Sequence, residues 1–423
     1  MLGRLLDLLP NGRLAQGALL VMFWQAIRLS ALALWVVIAA RALGTDAYGY
    51  FAGVAGLATA ISGFSGWGVG YLMYQRTSID HRLFGTYWSK TLLAYCSSSI
   101  GLALVFLAAA YWMFPQAGLH LLLLILLSEV VAYPIIAATA VAFAAHERMG
   151  WSAALPALGG LFRLVALATY AWLLGGRDIG AYLVWHTLAS ILAACASLVA
   201  VQRLLDPTPT SDRLSWKDLR ESSAFCMVWF TNGAIASWDK ALVLRLAGGE
   251  ISGLYAAAYR FAALAAMPVD SLIMAAMPRL FRRGSGDSGD PRLLRYVCLA
   301  VAGYGMVAAV ALAVFAPVLG WVLGPGFTGA IDVARGAALM IPLYGLRQLG
   351  GQILVTHDQR KARGGIDVAA LVLMTILASL LVPAYGVTGA VLMIVMTESA
   401  LVAMTWVAVM KHVLGRSNVR SDI

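Results

Sequence analysis

Residues 16–52 read QGALLVMFWQAIRLSALALWVVIAA followed by RALGTDAYGYFA. The first part, 16–40, is an apolar run that carries one charge, Arg28. A helix that crosses a bilayer needs about 20 mostly apolar residues, and this run supplies them. The second part, Arg41–Ala52, is a glycine-bearing turn that leads into the next run. The same alternation continues along the chain. Apolar runs lie at 48–74, 91–113, 119–143, 152–174, 179–201, 222–244, 253–278, 296–323, 333–355, 366–385 and 387–410, the last two divided near Tyr385–Gly386. Hydrophobic residues form 61% of the chain and charged residues 12%; a water-soluble domain has about 25% charged residues. Membrane strands alternate over roughly 10 residues, whereas these runs are continuously apolar. Lipid offers no partner to free backbone groups, so helices are what remains. The predicted fold class is an all-α polytopic membrane protein of twelve transmembrane helices.

The formal charge is +10, but its placement speaks against nucleic acid. Twelve spans put both ends and the even-numbered loops on one side. That side holds Arg4, Arg13, Arg76, Arg82, Lys90, Arg148, Arg203, Arg220, Arg282, Arg363 and Arg420, among others. The opposite loops hold Arg41, Arg177, Arg245 and Arg335. The positive-inside rule then places both termini in the cytoplasm, and the basic loops suit anionic headgroups. No soluble domain exists to carry nucleic-acid binding. The first run is too long for a signal-peptide core and has no convincing cleavage site.

The turn has an echo. Arg245–Ala256 reads RLAGGEISGLYA, and Arg, Gly, acid, Gly, aromatic and Ala align without a gap at an offset of 204 residues. A polar loop, Gln202–Glu221, with Pro207 and Pro209, lies at the midpoint. We therefore read two six-helix bundles, 1–203 and 222–423, joined by a cytoplasmic linker at 204–221. Six spans per half give both halves one orientation, so the repeats are parallel, and such halves usually enclose a central cavity.

With the turn at Arg41–Ala52, the glycine-rich second span (Gly63, Gly66, Gly68, Gly70), the basic residues after it and the 6+6 arrangement, the chain resembles the polysaccharide-biosynthesis and O-antigen flippases of the MOP superfamily. Lipid II flippases and multidrug (MATE) exporters are relatives there. The resemblance implies a V-shaped, two-lobed fold, alternating access, and a lipid-linked oligosaccharide cargo carried on polyprenyl diphosphate. It implies a bacterial inner-membrane location. It also implies membrane lipids, a proton or sodium ion and a polysaccharide polymerase or ligase as partners.

Charges inside hydrocarbon usually face an interior or a water-filled cavity. The bases within spans are Arg28, Arg163, Lys240, Arg260 and Arg347; the acids are Glu129, Asp239, Asp270 and Glu398. Trp24 and Gln25 share a helix face with Arg28. Arg28 reads either as a cavity cation gripping phosphate or as a buried base paired to an acid such as Glu129. On span 7, Trp229, Asn232, Ala236 and Asp239 fall on one face with Lys240 beside them; the alternative is a polar helix end with Lys240 snorkelling outward. On span 8, Arg260, Met267, Asp270, Met274 and Met277 form one stripe. The resembling family lines its cavity with spans 1 and 8, which favours Arg28 and Arg260 as phosphate contacts, since the guanidinium fork matches phosphate oxygens. Lys240, Trp24, Gln25 and Asn232 complete the candidate substrate site, and Asp239 and Asp270 are the candidate ion-coupling acids. Arg163 and Arg347 read as structural ion pairs. Trp67 and Trp229 suit sugar stacking, and Trp88 and Trp112 suit interfacial anchors.

No catalytic residues, metal ligands or cofactor are expected. There is no GxxxxGK[ST] loop for ATP. His81, His120, His146, His186, His357 and His412 show no metal spacing, and Cys96, Cys195, Cys226 and Cys298 read as isolated packing residues. Two rivals stand beside the flippase. A MATE-like cation antiporter wants acids in its cavity, and a membrane-embedded polymerase or ligase wants a large outer loop, which this chain lacks.

Overall fold

The computed structural model describes residues 13–176, 178–208, 212–283, 291–357 and 359–411. Arg4, Arg177, Pro209, His412, Arg420 and both termini lie outside the described residues, as do the side chains of Met274, Met277 and Arg282. Among the described residues there are helices and no strands. In chain order these are α1 (Arg13–Ser62), α2 (Val69–Ile79), α3 (Phe84–Met113), α4 (Leu119–Ile125), α5 (Tyr133–Ala145), α6 (Met149–Leu174), α7 (Ile179–Leu204), α8 (Trp216–Arg283), α9 (Pro291–Leu323), α10 (Ala330–Ala337), α11 (Met340–Thr356) and α12 (Arg360–Val409).

Eight of the described helical segments are long and apolar enough to cross a membrane. Three of them, within α1, α8 and α12, break at Gly44, Gly248 and Gly386, and each thereby supplies two crossings. The stretch 330–356, interrupted between α10 and α11, completes the twelve expected from the sequence. The outward surfaces are apolar: Ile100, Leu104, Val165 and Val307 are all exposed. Water would penalise such faces and lipid does not, so the chain is a multi-pass membrane protein.

The two repeated turns share one backbone. Gly44 has φ 76°, ψ 177° and Gly248 has φ 81°, ψ 179°, a region essentially reserved for glycine. The register of the sequence repeat thus coincides with the place where each helix breaks.

By packing, the chain divides into two compact units. The first takes the described residues to Ala42 with Leu57–Gly233; the second takes Leu43–Gly56 with Ala234 onward. The first has a core of Met73, Phe84, Trp88, Phe143, Leu155 and Val201. Trp88 is therefore a core residue and not an interfacial anchor: it stacks on Phe84 at 6.0 Å. Trp112 is exposed. Two irregularities in this unit escaped the sequence reading. The second apolar run is not one helix; it is interrupted at Ser65–Gly68, where Gly66, Trp67 and Gly68 all take positive φ. There the Gly66 N–H donates to Ser98 Oγ at 2.9 Å, and the Tyr95 ring occupies the space a side chain at Gly66 would need. Between α4 and α5, Leu126–Ala132 forms a π-helix. Cys226 is buried, whereas Cys96 and Cys195 lie on the exposed surface, where lipid accepts a small apolar side chain.

The second unit packs Val269, Val297, Val301, Leu349 and Leu354 into one core. Within it the two repeated turns dock on each other. A Cβ at Gly49 would overlap the Gly249 carbonyl, and one at Gly253 would overlap the Thr45 carbonyl. The Ser252 hydroxyl donates to the Gly49 carbonyl at 3.1 Å.

Candidate functional site

Charged side chains in the apolar spans identify the candidate site, because each must be neutralised, hydrated or engaged by a ligand. In the second unit, Asp239 and Lys240 are adjacent on α8 and both buried. Consecutive helical residues point to different faces, but the lysine stem is long enough to curl back. Lys240 Nζ donates to Asp239 Oδ1 at 2.9 Å, to Oδ2 at 3.1 Å and to the Ala236 carbonyl at 2.7 Å. It also lies 3.6 Å from the centroid of the Tyr259 ring. The Tyr255 hydroxyl donates to Asp239 Oδ2 at 2.6 Å. The pair is therefore internally satisfied, and the snorkelling alternative for Lys240 does not hold. Along that face Trp229, Asn232 and Ala236 are exposed, and Asp239 is buried.

Arg260 is partly exposed, with its guanidinium 5.6 Å from the Tyr48 ring centroid. Nearly three turns further along α8, Asp270 accepts from the Tyr344 hydroxyl at 3.0 and 3.2 Å, and Gln348 Nε2 donates to that hydroxyl oxygen at 3.1 Å. Arg347 pairs with Glu398 through Nε at 2.8 Å, and both are buried. This is the structural pair expected for Arg347.

In the first unit, Arg28 is exposed on α1, next to exposed Gln25 and half-buried Trp24. Trp24 meets Phe23 edge-on at 5.5 Å. The acid considered as a partner for Arg28 is taken: Glu129 Oε1 lies 3.0 Å from Arg163 Nη2 and 2.9 Å from His186 Nε2. Arg163 is thus paired as expected, while His186 was missed. Its signal in the sequence was its position within a span, since an imidazole there requires a polar partner. An aromatic set was also only partly foreseen: Phe64 stacks on Phe230 at 4.2 Å, and Tyr71 meets Trp229 at 5.2 Å. Trp67 and Trp229 remain exposed.

Elsewhere in the same unit, Arg76 pairs with Glu221 and Lys90 with Asp218, at 2.8 and 2.9 Å. Asp218 also accepts from the Ser215 N–H and hydroxyl at 3.0 and 2.8 Å. Arg148 donates to the Leu204 carbonyl at 2.8 Å. The hydrogen bond that Arg76 donates to Glu221 holds its guanidinium above the ordinary range. The bases of this face are thus partly occupied in fastening the start of α8 to α2 and α3. Among the described residues, no cluster of histidine, cysteine or carboxylate has the make-up of a metal site.

Comparison with known proteins agrees with this architecture. The family model described as "Polysaccharide biosynthesis protein" matches residues 14–283. No curated protein matches this chain in sequence. Among solved structures, the lipid II flippase MurJ in an inward closed conformation superposes with a TM-score of 0.71 at 12% identity, over 95% of this chain and 90% of that one. A multidrug resistance MATE family transporter of the MOP superfamily, in an inward-facing conformation, gives 0.62 at 14% identity, over 91% and 97%. A MOP superfamily transporter from Pyrococcus furiosus Vc1, described as having a binding pocket of reversed polarity, gives 0.59 at 13% identity, over 93% of each chain. At such identities these likenesses establish a shared fold.

Proposed function

The chain belongs to the polysaccharide biosynthesis protein family, and from that premise we propose that it is a flippase. It moves a lipid-linked oligosaccharide, a polyprenyl diphosphate carrying sugars, from the inner to the outer leaflet of the bacterial inner membrane. Both termini are cytoplasmic, and transport proceeds by alternating access. The observation that carries this reading is Arg28. It is exposed at mid-span, and the acid considered as its partner, Glu129, is held by Arg163 and His186. A guanidinium kept in that condition inside a membrane span is suited to an anionic ligand, and a diphosphate offers oxygens that match its planar fork.

The bases proposed for the diphosphate are Arg28 in the first unit and Arg260 in the second, each on its own chemistry. Trp24, Gln25, Asn232 and Lys240 complete the proposed substrate set, Lys240 as a polar group whose charge Asp239 already matches. Asp270 is the stronger candidate for ion coupling, because Asp239 is already matched by Lys240 and Tyr255.

Mass-spectrometric lipid analysis of a strain lacking this gene tests the proposal. Accumulation of one polyprenyl-diphosphate oligosaccharide is the expected result and would name the cargo. Complementation with Arg28→Ala or Arg260→Ala should leave that accumulation in place at normal protein levels. An unchanged lipid profile in the deletion strain would move the assignment to small-molecule export. Full complementation by both variants would remove the anion-site reading.

A further inference from the structure

The most concentrated polar cluster outside the proposed cargo site is buried in the first unit. Glu129 lies on the π-helix, Arg163 on α6, and Tyr182, His186 and Ser190 on α7. His186 and Glu129 are both buried. A π-helix inside a longer helix often marks a functional position. Here its geometry has a direct effect: the Ser128 carbonyl accepts from the Tyr133 N–H and also from Arg163 Nη2, at 3.3 Å. Arg163 Nε donates to Ser190 Oγ at 2.9 Å, and its guanidinium lies 5.6 Å from the Tyr133 ring centroid. The arginine is therefore held against the same segment that presents Glu129.

One carboxylate oxygen serves two bases. Glu129 Oε1 is the atom within reach of both Arg163 and His186. On its other side, His186 Nδ1 lies 3.1 Å from the Tyr182 hydroxyl. The remaining neighbour ring is Trp35 of α1, at 6.5 Å, and it carries no charge. Titratable and charged groups around the imidazole include Glu129 from the π-helix, Arg163 from α6 and Tyr182 from its own helix.

From this geometry we propose that His186 is a proton-binding site, and that its occupancy decides which base Glu129 holds. In the neutral ring, Nε2–H donates to Glu129 and Nδ1 accepts the Tyr182 hydroxyl proton. Arg163 and Glu129 then cancel, and the cluster carries no net charge. A proton arriving from water binds the Nδ1 lone pair, so both ring nitrogens become donors and Tyr182 becomes an acceptor. No other bond forms or breaks. The cluster now holds two positive groups and one carboxylate. The imidazolium competes with Arg163 for Oε1, and the Arg163 side chain, already partly accessible, is released toward an anion. This is a proton-driven exchange of ion partners within spans 4, 5 and 6, and it does not depend on the identity of the cargo.

The test is a nitrogen NMR titration of the full-length protein in lipid nanodiscs with ring-labelled histidine. His186→Gln assigns the resonance; the amide can donate to Glu129 and accept from Tyr182, which favours folding. If that variant does not fold, replacement of His81, His120, His146, His357 and His412 in turn assigns it by elimination. The expected result is a ring with one protonated nitrogen at pH 8 and two at pH 5. In Glu129→Gln the second proton should be lost at pH 5. A ring that keeps the same protonation from pH 8 to pH 5, or one unaffected by Glu129→Gln, would overturn the proposal.

Discussion

Replacing Gly49 by alanine separates steric from torsional causes at the repeated turns. A Cβ at Gly49 would overlap the Gly249 carbonyl oxygen and crowd the Gly253 nitrogen. These are backbone atoms and cannot rotate away. Overpacking a filled interior costs about 1–3 kcal/mol, and fixed opposing atoms put Gly49→Ala toward the upper end. Gly44 is the torsional control. Nothing lies within 4 Å of its Cβ position, but its φ is +76°, so Gly44→Ala should cost about 1–3 kcal/mol from backbone strain alone. Gly364 is the neutral control: it is helical, with nothing within 4 Å and no positive φ. Gly364→Ala should gain about 0.5–1 kcal/mol from the reduced freedom of the unfolded chain. Thermal unfolding of the purified protein in one detergent, followed by loss of the monodisperse peak, ranks the three. Because Gly49 and Gly253 meet at the same junction, the double alanine variant should cost less than the sum of the singles. If Gly49→Ala unfolds together with Gly364→Ala, the close docking of the two turns is wrong.

Removing either partner of the Arg347–Glu398 pair leaves a buried charge uncompensated. Arg347→Met or Glu398→Gln should therefore destabilise by about 3–5 kcal/mol, while the double variant Arg347→Met with Glu398→Leu should recover most of it; thermal unfolding of the three variants checks this, and additive losses would contradict the pairing. His146 lies between α5 and α6, with its Nδ1–H donating to the Ala142 carbonyl at 3.0 Å. Burial, and then the charges of His81 and Arg148, lower its pKa below the ordinary imidazole value, against the opposing pull of that hydrogen bond. The folded protein thus binds this proton less readily than the unfolded chain, so stability is lost as pH falls through about 6.5 and below. His146→Gln should flatten the melting temperature between pH 7 and pH 5; an unchanged slope would show that His146 does not set it.

The fold was legible because its determinants are local in sequence. Apolar runs fix the spans, and glycines at 44, 248 and 386 fix three of the breaks. The turn register was also legible, since only glycine accepts the backbone that Gly44 and Gly248 adopt. The interruption at Ser65–Gly68 was not. Glycine in a membrane span equally suits close helix approach, and what decides here is the Ser98 hydroxyl and the Tyr95 ring, both far along the chain. The partners of charges were hidden for the same reason. Glu129 could be offered to Arg28 or to Arg163 on sequence grounds, and only packing of the helices assigns it. Lys240 misled differently. The sequence left it either beside the Asp239 face or snorkelling outward, and the lysine stem instead curls back onto Asp239, over the Tyr259 ring.

These assignments change what the charged residues can be asked to do. Arg163 with Glu129, Lys240 with Asp239, and Arg347 with Glu398 are each neutralised inside their own unit. A pair of that kind adds little net field for a ligand, and breaking it is costly. Counting bases in spans therefore overstates the number that recognise cargo. Arg28 differs from them in kind, because it is exposed and its plausible acid is occupied elsewhere. The Glu129 cluster links the two observations. It engages the acid considered for Arg28, in part through a histidine, the side chain best suited to change charge near neutral pH. A single protonation there would alter the partner of Glu129 while leaving every apolar contact of the span in place, which is the kind of local charge change that can bias a packed helix without unfolding it.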